Sequence, residues 1–292
     1  MKKCAFLTLC ERGDYVIDDE HAIEPLADLG WQVSTVSWRQ TETPWSEFDA
    51  VIIRSTWDYW DDVPAFLGVL GQIDRESRLA NSLETVRWNL EKTYLAELER
   101  KGIGIVPTIW PAAVNPDSFQ AFSGQLGCKQ MVIKPVIGAN GDKAFRIAPE
   151  DSPQRREMIS ACFSDRRGMV QKFMPMILTE GEFSLFFFNG EFSHAILKTP
   201  AEGEFRCQEE HGGDIQPVAP EPQLLIRAQQ ALEALPETLL YARVDLVRND
   251  ENDFLVMELE LIEPSMYLRT DPAAPMRFAR AIDSRYRSRE ES

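Results

Sequence analysis

Val132-Ile133-Lys134-Pro135-Val136-Ile137-Gly138-Ala139-Asn140-Gly141-Asp142-Lys143 is the stretch on which the fold of this chain turns. Lys134 ends an apolar strand, and a loop of small residues follows at once. Backbone N–H groups of such a loop can approach a phosphate closely, because glycine has no side chain, while the lysine meets it from the other side. The same residues also fit a strand, a turn and a second strand with a solvated lysine. Two commoner phosphate motifs are missing. No G-x-x-x-x-G-K-[ST] occurs, and Gly102-Ile103-Gly104-Ile105-Val106-Pro107 fails the G-x-G-x-x-G test because Pro107 stands at the third glycine.

A second cluster lies toward the C-terminus. Tyr241-Ala242-Arg243-Val244-Asp245-Leu246 puts Arg243 and Asp245 on one strand face, two residues apart. Met257-Glu258-Leu259-Glu260-Leu261 does the same with two carboxylates. Three carboxylates on one side of a hairpin repel each other unless a cation joins them, and Mg²⁺ favours such oxygen ligands together with phosphates and water. The alternative is a hairpin whose charges point into solvent, with Leu255, Met257, Leu259 and Leu261 as its apolar face.

Outward from these clusters the patterning alternates. Cys4–Cys10, Gln32–Trp38 and Ala50–Arg54 predict short strands, with a helix at Asp19–Leu29 ended by Gly30, a β-α-β order that suggests a small parallel sheet. Asn81 or Ser82 caps one helix through Arg100, with Val86, Leu90, Tyr94 and Leu98 recurring every four residues and Gly102 closing it. Met131–Val136, Lys143–Ile147 and Met169–Phe173 predict the strands of a small α+β middle domain. Phe183–Phe188 and Phe192–Lys198 flank Asn189-Gly190, a strong hairpin signal. A helix at Gln223–Leu235 precedes a second hairpin, Tyr241–Arg248 and Phe254–Glu263. The charged tail after Ile282 is expected to fray. The expected fold is mixed α/β and α+β in three domains, 1–85, 86–174 and 175–292, with a nucleotide held between the last two.

Composition narrows the partners. The 292 residues are 44% hydrophobic and carry a formal charge of −16. A surface this acidic repels nucleic acid and anionic membranes, so neither is expected as a partner. No run of about 18 apolar residues appears to span a membrane. The apolar start, Cys4 to Cys10, is too short for a signal peptide and runs into Glu11-Arg12 rather than a small-residue cleavage site. Five scattered cysteines without a C-x-x-C pair fit reduced thiols in a cytoplasmic protein. Three histidines, His21, His194 and His211, make a His-rich zinc site an unattractive reading.

Taken in order from about Leu90 to Leu268, these features resemble the ATP-grasp superfamily, and are similar to D-alanine–D-alanine ligase, bacterial glutathione synthetase and the ribosomal-protein glutamate ligase. The resemblance implies an ATP- and Mg²⁺-dependent enzyme, with Mn²⁺ as an alternative metal, that joins a carboxyl group to an amine. It implies that Lys92 and Lys134 hold the nucleotide phosphates and that the loop Gly138, Ala139, Asn140 and Gly141 closes over them. Gln171, Lys172, Phe173 and Met174 would meet adenine, and Glu182 the ribose. Lys198, Arg206 and Arg243 would serve the phosphoryl transfer, and Asp245, Glu258 and Glu260 would bind the metal. Two departures stand out: many relatives have Asn at the position of Glu260, and Cys207-Gln208 follow Arg206 where an asparagine is often found. Arg54-Ser55-Thr56-Trp57-Asp58-Tyr59, Lys198-Thr199-Pro200 and Glu260-Leu261-Ile262-Glu263-Pro264 further resemble the subgroup with the D-cycloserine-forming ligase. That extends the resemblance over nearly the whole chain.

The reaction class follows from charge. Carboxylate attack on a terminal phosphate brings two anions together, which Mg²⁺, lysines and a fixed arginine offset. No nucleophilic side chain is required. The acceptor, a small amino-acid-like or peptide-like acid, is expected at the first domain. There Arg54 would pair with a carboxylate, Asp58 would hold an amine, and Trp57, Tyr59 and Trp60 would wall the pocket. Asp14, Tyr15 and Asp18 are weaker candidates. The alternative is an aromatic cluster that packs the first domain on the second. Ring closure within one substrate, a kinase that stops at phosphorylation and a non-catalytic nucleotide-binding module remain rival functions. Dimers are common in relatives, so a homodimer stands beside a monomer.

Overall fold

The computed structural model describes residues 1–13, 15–40 and 42–287. Asp14 lies outside the described residues.

Cys4, Ala5, Phe6 and Leu7 are all buried, so β1 (Lys2–Thr8) is a central strand covered on both faces, which is why it shows a continuous apolar run rather than an alternation. A short turn at Asp19–Ala22 leads into α1 (Ile23–Asp28), and Gly30, at φ +85°, reverses the chain into β2 (Trp31–Ser37). β3 (Ala50–Ser55), α2 (Val63–Glu76) and β4 (Leu79–Ala80) complete a parallel sheet of order β2-β1-β3-β4. α2 was not expected, although its start is legible: the Asp62 side chain accepts from the Ala65 N–H and Pro64 sits in the first turn.

The single helix expected through Arg100 is two helices, α3 (Leu83–Asn89) and α4 (Tyr94–Arg100). Ser82 is the cap, accepting from the Thr85 N–H. Asn81 is instead buried and joins Tyr241 O, Leu261 O and the Leu240 N–H. Partners far along the chain break the helix. The Asn89 side chain bonds Leu259 O and the Leu261 N–H, Tyr94 Oη bonds Leu259, and the Lys92 N–H donates to Val136 O. Lys92 therefore sits in the break and not on a helix face.

β5 (Thr108–Ile109), β6 (Met131–Pro135), β7 (Phe145–Ile147) and β8 (Gly168–Lys172) form an antiparallel sheet of order β5-β8-β6-β7. α5 (Phe119–Leu126) and α6 (Pro153–Cys162) cover it through Phe119, Phe122 and Ile159, and the sequence pattern revealed neither. β7 starts at Phe145, later than expected, because Lys143 adopts φ +51° and still belongs to the loop's turn.

After the single-turn α7 (Met176–Thr179), β9 (Glu182–Phe188) and β10 (Glu191–Thr199) make the expected hairpin, with Asn189 and Gly190 both at positive φ. β11 (Asp214–Pro217), α8 (Pro222–Glu233), β12 (Tyr241–Arg248) and β13 (Phe254–Glu260) follow. The sheet is antiparallel in the order β11-β10-β9-β12-β13. Its last pair contains an irregularity: Asp245 faces Glu258, while Leu246 faces Val256. The extra residue flips the alternation. Val256, Leu259 and Leu261 enter the core, whereas Leu255 and Met257 pack with Val106, Met174 and Ile177. The apolar face expected from Leu255, Met257, Leu259 and Leu261 is thus split between two clusters.

As far as Arg287 the tail beyond Ile282 also differs from expectation; residues 288–292 lie outside the described residues. α9 (Ala274–Tyr286) keeps Asp283 and Tyr286 buried and packs on the first sheet beside Phe6 and Trp31, with Trp31 Nε1 donating to Asp283. Among the described residues no helix is long and apolar enough to cross a membrane.

Candidate active site

A cleft of about 970 Å³ opens between β6, β8 and the face of β9, β12 and β13. Its walls bring together Lys92, Lys134, the loop Gly138–Gly141, Gln171–Met174, Glu182, Arg206, Asp245, Glu258 and Glu260. Lys198 and Arg243 line a small adjoining recess that shares Ala139, Asn140, Gln208 and Glu260 with the cleft. Residues from separate stretches between Lys92 and Glu260 meet at one place.

Charge pairing organises the cleft. Lys92 Nζ lies 2.8 Å from Glu258 and 2.5 Å from the Gly138 carbonyl, and Lys134 Nζ lies 3.4 Å from Glu258. Lys198 pairs with Glu182 and sits 3.7 Å from Asp245. Arg243 Nε and Nη2 each lie 3.0 Å from an Asp245 oxygen, and Nη2 also reaches Glu260. Ser184 donates to Asp245 at 2.5 Å. The hairpin charges are therefore enclosed and paired, not solvated. Burial by itself would raise the Asp245 carboxyl, but Arg243 and Lys198 outweigh it and hold it down at about 2. Burial likewise opposes ionisation of Glu258, and Lys92 and Lys134 overcome it and bring that carboxyl below its ordinary value. Burial raises Glu260 to about 7, with Asp245 and Glu258 adding to the effect against Arg243.

Among the described residues no three carboxyl, imidazole or thiol groups close on one point. Asp245, Glu258 and Glu260 are turned onto neighbouring cations instead. The donor set still fits a hard dication: all its atoms are oxygens, Asp245 and Glu258 are directly opposed across the strands, and Asp245 and Glu258 add to burial in opposing ionisation of Glu260, a repulsion that a bound dication would offset.

The glycine loop is held shut by side chains from elsewhere. Asn140 Nδ2 lies 3.4 Å from Tyr15 Oη, and His211 Nε2 lies 3.0 Å from the Asn140 carbonyl. Gly141, at φ +65°, has Arg206 against it, so an added Cβ would stand 3.0 Å from Arg206 Cδ. The Gln208 Oε1 and Arg206 Nε atoms are buried without a hydrogen-bond partner among the described residues. At the hinge, the Lys172 and Phe173 N–H groups already donate to Pro107 O and Gln130 O. Backbone contact with a base therefore falls to other groups of Gln171–Met174, and the Met174 N–H has no backbone partner among the described residues.

Of the four main first-domain candidates only Trp57 reaches the recess. Arg54 is 1% exposed and fully engaged, donating to Asp19 at 2.9 Å and to Pro264 O at 2.9 Å. Asp58 accepts from Trp38 Nε1 at 2.6 Å and from Arg39 Nε at 2.9 Å. Tyr59 is buried, with its ring stacked on Phe66. None of these three lines the recess: Asp58 is claimed by Trp38 and Arg39, Arg54 by Asp19 and the Pro264 carbonyl, and Tyr59 packs on Phe66 with only its hydroxyl turned toward Glu263. Asp18 is bound by Arg269, and Tyr15 packs edge-on to Trp57.

The first domain acts through the irregular segment after β13. Five consecutive carbonyls there each accept from a buried or half-buried side chain. Tyr241 Oη donates to Ile262 O, Trp57 Nε1 to Glu263 O, Arg54 to Pro264 O, Arg243 to Ser265 O and His194 Nε2 to Met266 O. Non-repetitive backbone this enclosed needs such partners. The segment forms one wall of the recess through Glu263, Ser265 and Tyr267. Tyr267 and the acidic pair Glu209 and Glu210 were not expected there. Nothing in their local sequence signals it, since they arrive through a turn with Tyr267 at φ +45° and a single 3₁₀ turn.

Comparisons with known proteins agree with this geometry. Residues 4–81 match the family model described as D-cycloserine synthetase DcsG, N-terminal domain. Residues 107–250 match the model described as prokaryotic glutathione synthetase, ATP-grasp domain. The cycloserine biosynthesis protein DcsG of Streptomyces lavendulae is 28% identical over 278 residues, covering 90% of this chain and 92% of that protein. A glutathione synthetase of Rhodopseudomonas palustris is 26% identical over 147 residues, 50% of this chain and 44% of its own length. The crystal structure of D-cycloserine synthetase DcsG superposes with a TM-score of 0.87 at 26% identity, covering 98% of this chain and 100% of that one. D-alanine–D-alanine ligase from Bacillus anthracis, complexed with ATP, shares the fold at a TM-score of 0.66 and 16% identity, covering 97% and 95% of the two chains. With the cleft, its lysines and its glycine loop in place, the chain belongs to the ATP-grasp superfamily and is an ADP-forming carboxylate–amine ligase of that type.

Proposed function

We propose that this enzyme activates the carboxyl group of a small, amino-acid-like acid as an acyl phosphate, which an amine then attacks with loss of phosphate. The observation that carries this reading is the enclosure of Lys92, Lys134, Lys198 and Arg243 around three carboxylates at the junction of cleft and recess. A polyphosphate entering the cleft would draw Lys92, Lys134 and Lys198 toward itself. Asp245, Glu258 and Glu260 would then lack positive charge, and Mg²⁺ between them and the phosphates would make it up. The metal, or Mn²⁺ in its place, supplies charge neutralisation at the phosphates when bound. Arg243, anchored on Asp245, is the fixed donor for charge developing on the transferring group, and Arg206, packed against Gly141 in the cleft wall, is the second arginine assigned to it. Gly138–Gly141 exclude water from the acyl phosphate, Glu182 receives the ribose, and Gln171–Met174 the base. In this reading residues 1–85, 86–174 and 175–292 are the units that supply the recess wall, the loop and the charged sheet. The chemistry calls for a soluble small-molecule substrate and for neither nucleic acid nor membrane, in a cytoplasmic setting where ATP is at hand.

Ring closure within one substrate is the second reading. It is favoured by the resemblance to DcsG, which extends through the N-terminal domain and over 90% of the chain. The test is ADP release across amino acids and ureido or hydroxy acids with Mg²⁺, followed by product mass. A product equal to one substrate minus water identifies cyclisation, and the sum of two substrates minus water identifies ligation. Lys134→Ala and Asp245→Ala are each expected to abolish ADP release. Full activity in either variant rejects the assignment, and a stable phosphorylated product would make the enzyme a kinase.

A further inference from the structure

The recess beyond Arg243 carries four carboxylates, and their partners differ. Glu209 is clasped by both Oε atoms on Arg269, at 2.6 and 2.7 Å. Glu260 is held by Arg243. Glu210 is exposed. Glu263 is half-buried, and among the described residues no lysine, arginine or histidine lies within 4.0 Å of its carboxylate. The Tyr59 hydroxyl faces it from the first domain. Glu263 belongs to the recess and not to the nucleotide cleft, so it stands apart from the phosphate-facing carboxylates. Its position is fixed, because its own carbonyl and those of its four neighbours are tied down by side chains.

A carboxylate kept inside a recess without a cation is costly unless something bound there supplies one. Burial, with Glu260 adding to it, raises the Glu263 carboxyl to about 8, so a lone anion is disfavoured at this position. Arg243 and Lys198 line the same recess, on the side of the charged sheet where a reacting carboxyl would meet a terminal phosphate. The recess thus holds two cations and a carboxyl that has no cationic partner among the described residues. Trp57 and Tyr267 provide apolar flanks, and the unpartnered Gln208 Oε1 lies where cleft and recess meet.

We propose that Glu263 is a specificity-determining residue that binds a protonated amine of the acid substrate, so that the enzyme takes amino acids whose ammonium group sits on Glu263 while their carboxyl faces Arg243. The proposal rests on the ligase reading above and deepens it. A 2-hydroxy acid of the same shape keeps the carboxyl but leaves the Glu263 carboxylate without a counter-charge, and is rejected.

The test is calorimetric binding to the full-length chain with Mg²⁺ and a non-hydrolysable ATP analogue. Alanine, serine and asparagine of both hands are compared with their 2-hydroxy acid counterparts. In the native protein at least one amino acid is expected to bind about 100-fold tighter than its hydroxy acid. In Glu263→Gln that gap should shrink to within roughly threefold, with the affinity for the ATP analogue within about twofold of native, which also shows that the variant is folded. Glu263→Asp, which keeps the charge, should retain part of the gap. Equal binding of amino and hydroxy acids by the native protein overturns the proposal, as does an undiminished gap in Glu263→Gln or the absence of binding by every amino acid. In each of those cases an intact ATP-analogue signal leaves the ligase reading standing. Failure of the analogue to bind the native protein removes that reading and this proposal with it.

Discussion

Arg54 Nη2 donates to the Pro264 carbonyl at 2.9 Å, joining the end of β3 to a segment 210 residues later. The guanidinium also carries the Asp19 ion pair and lies over the Tyr241 and Phe278 rings. It thus reaches the recess only through the backbone it holds.

Replacing Arg54 by Met keeps volume but strands Asp19 and frees one of the five tethered carbonyls. Breaking a buried pair from one side costs about 3–5 kcal/mol. Arg54→Met should therefore lower stability in urea titrations by an amount of that order, while affinity for the ATP analogue changes little. A variant as stable as the native protein but unable to bind the acid would point back to direct substrate contact.

Asp245 supports two buried cations, Arg243 and Lys198, and faces Glu258 across the strand pair. Asp245→Asn removes the shared counter-charge. The expected result is a loss of roughly 3 kcal/mol in stability together with at least a thousandfold fall in ADP release. Glu258→Gln should spare more stability, because Lys92 retains the Gly138 carbonyl as a partner. Thermal unfolding and turnover measured on both variants check the contrast.

Gly181 sits at φ +121°, and a Cβ there would come within 2.6 Å of the Lys198 carbonyl. An L-residue is strained by the dihedral as well as by the contact, and the strand end carrying Lys198 has to shift. Gly181→Ala should destabilise by more than about 1 kcal/mol and depress turnover more than nucleotide binding. Steady-state kinetics beside a thermal melt separates the two effects.

His194 is buried, stacked on Phe186 and donating to Met266 O. Burial lowers its pKa to about 4, against the opposing Met266 carbonyl, Asp271 and Asp18, with Arg277 adding to the fall. The unfolded chain binds this proton near 6.5 and the folded chain does not until about 4. Stability is then complete above pH 6.5 and is lost as pH falls from there to about 4, by up to roughly 3 kcal/mol. Urea midpoints across that range should fall in the native protein and fall less in His194→Gln.

Much of the site was legible because its residue types are locally conspicuous. Lys134 before Gly138-Ala139-Asn140-Gly141, and the alternating charges of Arg243, Asp245, Glu258 and Glu260, announce themselves through strand periodicity. The longer strands of all three sheets followed from apolar runs and from turn residues such as Asn189-Gly190, whereas the short strands β4, β5 and β11 carry too few residues to show a period. The first-domain roles were not legible in this way. Arg54, Asp58 and Tyr59 carry groups that suit a ligand, and the same groups suit Asp19, Trp38 and Phe66. The break at Lys92 was hidden for a similar reason, since its neighbours keep a helical period and the interruption comes from Leu259, Leu261 and Val136.

By itself the sequence determined most of the strands, the net acidity and the identity of the cationic and carboxylate side chains, because these depend on composition and on neighbours a few positions apart. Tertiary structure alone decided which charges share the cleft, which arginine is spent on backbone, and that Glu263 lines the recess with no cation paired to its carboxylate among the described residues. Those outcomes depend on partners up to some two hundred residues away, and solvent exclusion is what gives each pairing its energy.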